Sequence, residues 1–169
     1  MSALPREPED RIPDQDTTHG RIRSLLASVT GALLEEQPGL LSFHDHRPER
    51  DRSSGESWRG LQTLCHVSAL LASDAAPDPR PGAAHALLRA VEARALAAGM
   101  HRRAVEEGHG GITVSWRDDL GDLLEVVVGV RVAVRAISAP FLPGSLHPVT
   151  TTSPVTALSP LTPPPRRVR

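Results

Sequence analysis

The sequence predicts an α+β domain in which two helices pack on one face of an antiparallel β-meander sheet. Apolar residues recur with helical spacing in residues 18–36 and 83–98. Between residues 112 and 137 they instead alternate with polar residues, as in strands with one buried face. Prolines cluster near both ends of the chain, which predicts a single folded block at residues 18–143.

Residues 18–36 are predicted to be helical because five apolar side chains share one helical face. These side chains are Ile22, Leu25, Leu26, Val29 and Leu33. Three side chains at 16–18 offer oxygens for an N-cap, and the Pro-Gly pair at 38–39 is expected to end the helix.

The segment between the two helices is predicted to be a strand, a loop and a second strand. Residues 40–44 are apolar enough to pair against the core, whereas residues 47–59 are charged and rich in turn formers. Residues 61–72 suit either a helix or a buried strand. Their position between a predicted loop and a proline-rich break favours the strand.

Residues 83–98 predict an alanine-rich helix with a narrow apolar stripe, and Gly99 stands where a left-handed C-cap belongs. Four strand-like runs then follow between residues 101 and 137, separated by glycine- and aspartate-rich turns. Pro140 and Pro143 are expected to end the sheet because proline cannot donate a ladder hydrogen bond.

Both ends of the chain are predicted to be disordered. Residues 1–17 combine prolines and acidic residues with few apolar ones, so they cannot bury enough surface to offset their ordering entropy. Residues 144–169 form a tail of serine, threonine, proline and valine without any period.

Composition excludes several classes of function. The net charge is −1, so no overall field favours nucleic acid or an anionic membrane. All 19 basic residues are arginine, and lysine, asparagine and tyrosine are absent, which indicates a GC-rich bacterial genome. No stretch approaches the roughly 20 apolar residues of a membrane span. Without a visible signal peptide, the sequence as written predicts a cytoplasmic protein, or an envelope-associated one if the true start lies upstream.

His44 and His46 are the first candidates for metal binding. Alternate side chains of a strand share one face, and two imidazoles at this spacing can chelate zinc or copper. A third ligand would have to come from elsewhere in the chain: His66, Cys65 or His85. The competing interpretation is a polar segment after a strand, and on that interpretation no cofactor is expected.

No catalytic residue is predicted. Cys65 neighbours His66, but adjacent residues of a strand point to opposite faces and cannot form a thiol–imidazole pair. A lone cysteine in an apolar segment is typical of a small buried hydrophobe. The aspartates at 118–122 lack the ligand ladder of an EF-hand loop and indicate a hairpin turn.

The sequence therefore predicts a non-catalytic binding or interaction domain whose partner is another protein. Arg117, Arg131 and Arg135 are the candidate partner-binding residues, because they are expected on the open face of the sheet. Two alternatives stay open, an immunity-like or regulatory partner protein and a small metal-binding protein that uses His44 and His46. No recognisable motif encodes the ligand or the oligomeric state.

Several motifs carry a family resemblance. They are Ala98-Gly99-Met100, the run GITVSWRDDLGDLLEVVVG, the closing run VRVAVRAISAPFLP, the upstream Pro38-Gly39-Leu40 and the later Cys65. In this order they resemble actinobacterial LppA-like envelope lipoprotein domains over about two thirds of the chain. The resemblance implies no catalytic residues. Members carry a lipid-anchor signal, which is not visible here, and a second cysteine where this chain has Ser138-Ala139-Pro140.

Overall fold

Two helices and eight strands make up the described part of the chain, residues 12–108 and 110–144 of a computed structural model. In chain order the elements are α1 (Gln15–Glu36), a short 3-10 turn (Pro38–Leu40), β1 (Phe43–Arg47), β2 (Arg50–Trp58), β3 (Leu61–Val67), β4 (Leu70–Ser73), α2 (Ala83–Ala97), β5 (His101–Gly108), β6 (Gly111–Arg117), β7 (Leu123–Val128) and β8 (Val132–Ile137). The α+β prediction is confirmed. Most of the two predicted disordered segments lies outside the described residues.

The eight strands form one antiparallel sheet, in which β1, β4, β8, β7, β6 and β5 lie side by side. β3 also pairs with β8, through Val67 and Ile137, and β2 pairs with β3. Between β3 and β4 the chain stays bonded to β8, because the Ser68 N–H donates to the Ala136 carbonyl. β3 and β4 therefore act as one long, interrupted strand, which confirms the strand prediction for residues 61–72.

Both helices cover the same face of this sheet, as predicted. The helical stripes contribute fully or nearly fully buried Ile22, Leu26, Val29, Leu33, Leu87, Leu88 and Val91. Every second residue of the central strands meets them, so that Val126, Val134 and Trp116 are buried. Burial of each such side chain contributes about 1.5–3 kcal/mol. Neither helix in the described ranges combines the length and the hydropathy that a membrane crossing requires.

The predicted loop at residues 47–59 is wrong, because most of it forms strand β2. β2 lies at an edge, and its strand pairing within residues 12–108 and 110–144 is with β3 alone, so it buries little and needs no apolar alternation. The turn-forming residues sit in an irregularity of the pairing between Ser53 and Ser57, where Gly55 has a φ of 80°. The edge position thus explains why a polar segment extends as a strand.

Two element boundaries also differ from the predictions. α1 begins at Gln15 because Asp14, rather than a residue at 16–18, accepts the N-capping hydrogen bond from the Thr17 N–H. The strand predicted at 40–44 begins only at Phe43, because Leu40 ends the 3-10 turn and inserts into the core. Short apolar runs do not distinguish a buried turn from a strand.

A partly buried ion pair ties α1 to the turn between β6 and β7. Arg21 donates from Nε to Asp122 Oδ2 at 2.6 Å and from Nη2 to Oδ1 at 2.9 Å. Asp122 is almost fully buried and also accepts from the Ala139 N–H at 2.7 Å. These bonds raise the pKa of the Arg21 guanidinium although the group is partly buried. Asp118 also accepts from the Gly121 and Asp122 N–H groups, so Asp118 and Asp122 have structural roles in this turn.

Replacing Asp122 by alanine is expected to lower the free energy of unfolding by about 2–3 kcal/mol, because Arg21 and the Ala139 N–H both lose their acceptor. Asp122→Asn keeps an oxygen for Ala139 and should cost less. The exposed neighbour Asp119 is the control, since Asp119→Ala should change stability by no more than about 0.5 kcal/mol. Equilibrium unfolding in urea measures all three, and equal costs at positions 119 and 122 would contradict this assignment.

Gly111 marks a close approach between two strands. Its φ is 120°, and a Cβ atom there would overlap the carbonyl oxygen of Val128. Gly111→Ala is therefore expected to destabilise the fold by more than about 2 kcal/mol, through strain and displacement of β7. Gly108→Ala is the matched control, because its Cβ would meet open space. Thermal unfolding should separate the two variants, and similar melting temperatures would refute the close-approach explanation.

Candidate functional site

Three side chains that could bind a metal ion come together where the first turn of α1 meets the β2–β3 hairpin. They are His19 on α1, Asp51 on β2 and His66 on β3. Asp51 and His66 are direct cross-strand partners, so their side chains share the face that α1 covers. Asp51 Oδ1 lies 2.8 Å from His66 Nδ1 and 3.1 Å from His19 Nε2. One carboxylate oxygen thus lies within hydrogen-bonding distance of two imidazoles.

His66 is the most deeply buried member of this His19–Asp51–His66 cluster. Its side chain is 1% exposed, and its Nε2 has no hydrogen-bond partner among the described residues. Glu49 Oε2 lies 3.6 Å from that nitrogen, which is beyond hydrogen-bonding distance. A buried, unpaired ring nitrogen is costly, so its position needs an explanation.

Aromatic contacts and a glutamine hold the cluster in place. The rings of His19 and His66 have centroids 4.0 Å apart, and Phe141 meets His19 edge-on at 5.7 Å. Gln15 donates to the second oxygen of Asp51 at 3.1 Å. The Asp51 carboxylate therefore lies beside three potential donors, and it joins the helix start to the hairpin.

The thiol lies on the other face of the hairpin. Cys65 pairs with Arg52 across the two strands, and Arg52 Nε lies 3.4 Å from its sulfur. Since neighbouring strand residues alternate in direction, the Cys65 thiol points away from the face that carries His66. Within the described residues, the hydrogen bonds of the cluster's imidazole rings involve no hydroxyl or thiol.

The three predicted metal candidates His44, His46 and His66 do not gather into one cluster among the described residues. His44 is exposed on β1, where its Nδ1 lies 2.7 Å from Asp74 Oδ1, and His46 is exposed on the same strand. Among described residues, the cluster that could hold a metal contains His66 but neither His44 nor His46. Sequence reasoning missed His19, which carries no spacing signal because its partners lie 32 and 47 positions away.

The three predicted partner-binding arginines do not form one basic strip. Arg135 makes an ion pair with its cross-strand neighbour Glu125 on the open face. Arg131 lies in the turn before β8 and donates to the Ser73 carbonyl. Arg117 is exposed at the end of β6, near the opposite end of the sheet from Arg131. Their role in partner binding stays a prediction.

A cleft of about 400 Å³ opens between α1, the end of α2 and the β6–β7 turn. Its polar lining includes Arg21 and Asp122, which bond to each other, and Arg94, which pairs with Glu35. The rest is mainly apolar, including Leu25 and Met100. Because these charged groups are already paired, the cleft offers fewer unsatisfied groups to a ligand than the histidine cluster does.

The tip of the β2–β3 hairpin is the second feature of interest. A two-residue turn of Arg59 and Gly60 joins the paired residues Trp58 and Leu61, and both turn residues have positive φ, at 50° and 80°. This geometry is that of a type I′ turn, in which asparagine or glycine normally occupies the first position. The Arg59 guanidinium instead lies over the Trp58 ring, 4.5 Å from its centroid.

Comparisons with known proteins do not assign a family. No family model matches the chain, and no curated protein matches it. One solved structure that resembles it is the crystal structure of a DUF4853 family protein from Actinomyces odontolyticus ATCC 17982 at 2.65 Å resolution. The two share 12% sequence identity with a TM-score of 0.48, over 80% of this chain and 75% of that one. The resemblance to LppA-like domains is untested and stays a prediction.

Asp51→Ala is expected to loosen the base of the hairpin, since His19, His66 and Gln15 all lose their carboxylate. With a metal chelator present, the free energy of unfolding should fall by about 1.5–3 kcal/mol. Amide hydrogen exchange should accelerate around residues 50–53 and 64–67. Asp45→Ala on the exposed strand β1 is the control, and equal exchange rates in the two variants would contradict this role.

Proposed function

We propose that this domain is a non-catalytic protein-interaction module and that the tip of its β2–β3 hairpin is the main contact element. The observation that carries the proposal is the Arg59–Trp58 stack on a turn where arginine is conformationally unfavourable. A non-glycine residue held at positive φ costs on the order of 1 kcal/mol or more. Arginine at this position is understandable if its side chain, stacked on Trp58, contributes to a partner contact.

The distribution of aromatic residues supports this proposal. The chain contains two tryptophans and two phenylalanines. Trp116 and Phe141 are fully buried, and Phe43 packs against the core. Trp58 alone of the four stands at a turn, half-buried, away from the core cluster of the described residues. Tryptophan and arginine are the residue types most enriched at interface hot spots.

The tip also lies beyond the body of the sheet. The last bridge between the hairpin and another segment joins Leu64 to Phe141, and past it the described pairs are only between β2 and β3. Leu61, opposite Trp58, is 55% exposed. An apolar pair on a projecting turn can enter a pocket of another protein without movement of the sheet.

Charge indicates what kind of partner surface would fit. Arg50, Arg52 and Arg59 are all exposed on the hairpin, and Glu56 is the exposed acidic residue between them. Asp51 is turned toward the histidines, so the solvent side of the hairpin is basic. The expected partner is therefore a protein with an apolar pocket bordered by carboxylates.

The described groups with catalytic potential support a non-catalytic role. The carboxylate of Asp51 lies between two imidazoles, and the Cys65 thiol contacts Arg52 on the other face. A nucleophile needs a general base within hydrogen-bonding reach, and these groups do not provide that arrangement.

The interaction is tested with the full chain as bait, followed by measurement of affinity for each purified partner. Trp58→Ala should weaken binding by about 30-fold or more, which corresponds to about 2 kcal/mol. Val130→Ala is the matched control, because Val130 is 86% exposed on a different turn. Equal affinities of the Trp58 and Val130 variants for every partner would refute the proposal.

A second variant separates binding from stability. Arg59→Asn should relieve the strained turn and raise the free energy of unfolding by about 0.5–1 kcal/mol, since Asn-Gly favours a type I′ turn. The same change removes the cation from the Trp58 ring and should weaken partner binding. Thermal unfolding and calorimetric titration measure the two effects. A variant that is more stable and binds equally well would show that Arg59 is not a contact residue.

A further inference from the structure

We propose that His19, Asp51 and His66 form a binding site for one divalent transition-metal ion, with zinc as the best match. Their candidate ligand atoms all lie within 4.8 Å of one another. Zinc bound at about 2.0–2.2 Å in tetrahedral geometry separates its ligand atoms by roughly 3.3–3.5 Å. Asp51 Oδ1 is already 2.8 Å from His66 Nδ1 and 3.1 Å from His19 Nε2, so those two spacings need to widen only slightly.

The unpaired nitrogen of His66 supports the site independently. If Nδ1 binds a metal, the neutral ring must carry its proton on Nε2, the buried atom that has no hydrogen-bond partner. Glu49 Oε2 lies 3.6 Å from this nitrogen and is the acceptor toward which that proton would point. A carboxylate behind a ligating histidine fixes its tautomer and strengthens it as a ligand.

The donor set selects the class of metal. Two imidazoles and one carboxylate suit zinc and related transition metals. Calcium and magnesium prefer sites built from oxygen ligands, of which this cluster supplies one carboxylate. The thiol of Cys65 lies on the opposite face of the hairpin and is not part of the donor set. Three protein ligands leave a fourth tetrahedral position for water.

The three ligands come from α1, β2 and β3, so a bound ion would link these three elements. His19 lies near the N-terminus of α1, its side chain is 18% exposed, and its ring is tilted by 34° from that of His66. Asp51 and His66 hold the base of the hairpin. A bound ion would therefore join the helix start to the hairpin at its base and restrict the motion of the tip.

The competing explanation is that Asp51 only accepts hydrogen bonds from the two histidines. This arrangement requires no metal, and it leaves Nε2 of His66 without a function. The metal site differs by predicting stoichiometric binding that depends on His19 and on Glu49. Titration can therefore decide between the two explanations.

The test is calorimetric titration of the chelator-treated full chain with zinc. One equivalent should bind, and His19→Gln should weaken the affinity by about 100-fold or more, as expected for loss of one ligand of three. Glu49→Gln should weaken it by about tenfold, as expected for a group behind a ligand. His19 and Glu49 are partly exposed, so both variants should fold, and circular dichroism checks this.

Two controls make the result specific. His85→Gln alters an exposed histidine of α2 and should leave zinc affinity unchanged. The double variant His44→Gln/His46→Gln should also bind normally, and loss of binding there would move the site to β1 and overturn the proposal. Absence of one-equivalent binding, or equal affinity of the native chain and His19→Gln, would overturn it too. Trp58→Ala should retain zinc, which separates this test from that of the partner surface.

Discussion

Strand β8 bonds to β7 along one edge and to β4 and β3 along the other, while α1 packs over its buried face. Val132, Val134 and Ala136 are fully buried there, so a slip of one residue would turn all three toward the open face. The register of β8 therefore determines that of both halves of the sheet. The position of β8 also affects the histidine cluster, since the His66 N–H donates to Ser138 Oγ just after β8.

The β2–β3 hairpin has a rigid base and a projecting tip. At its base, His66 is fixed by Asp51 and by the extension of β8. At its tip, Trp58 and Arg59 lie beyond the last bridge to the rest of the fold. On the proposed function, the residues that stabilise the fold and those that contact a partner thus lie at opposite ends of one hairpin. The positive φ of Arg59 in the tip is tolerated because the base of the hairpin is secured by hydrogen bonds and core packing.

Sequence prediction was accurate for the elements that bury one face. The helix predicted at 83–98 and the strands predicted between 112 and 137 are confirmed, because burial of one face imposes a clear period on the sequence. Residues 47–59 were wrong because β2 is an edge strand whose pairing comes from backbone groups, which leave no pattern in the side chains. Of the candidate site, His66 was predicted as a metal ligand, while His19 and Asp51 were not.

The sequence by itself determined the helices, the meander and the side of the sheet that is buried, since these depend on residues a few positions apart. Only the tertiary structure decided that His19, Asp51 and His66 meet, because they are separated by 32 and 15 positions. Their contact requires both the hairpin register and the crossing of α1 over the hairpin base. The local periodicity of the sequence predicts neither the register nor the crossing, because both arise from how separate elements pack against each other.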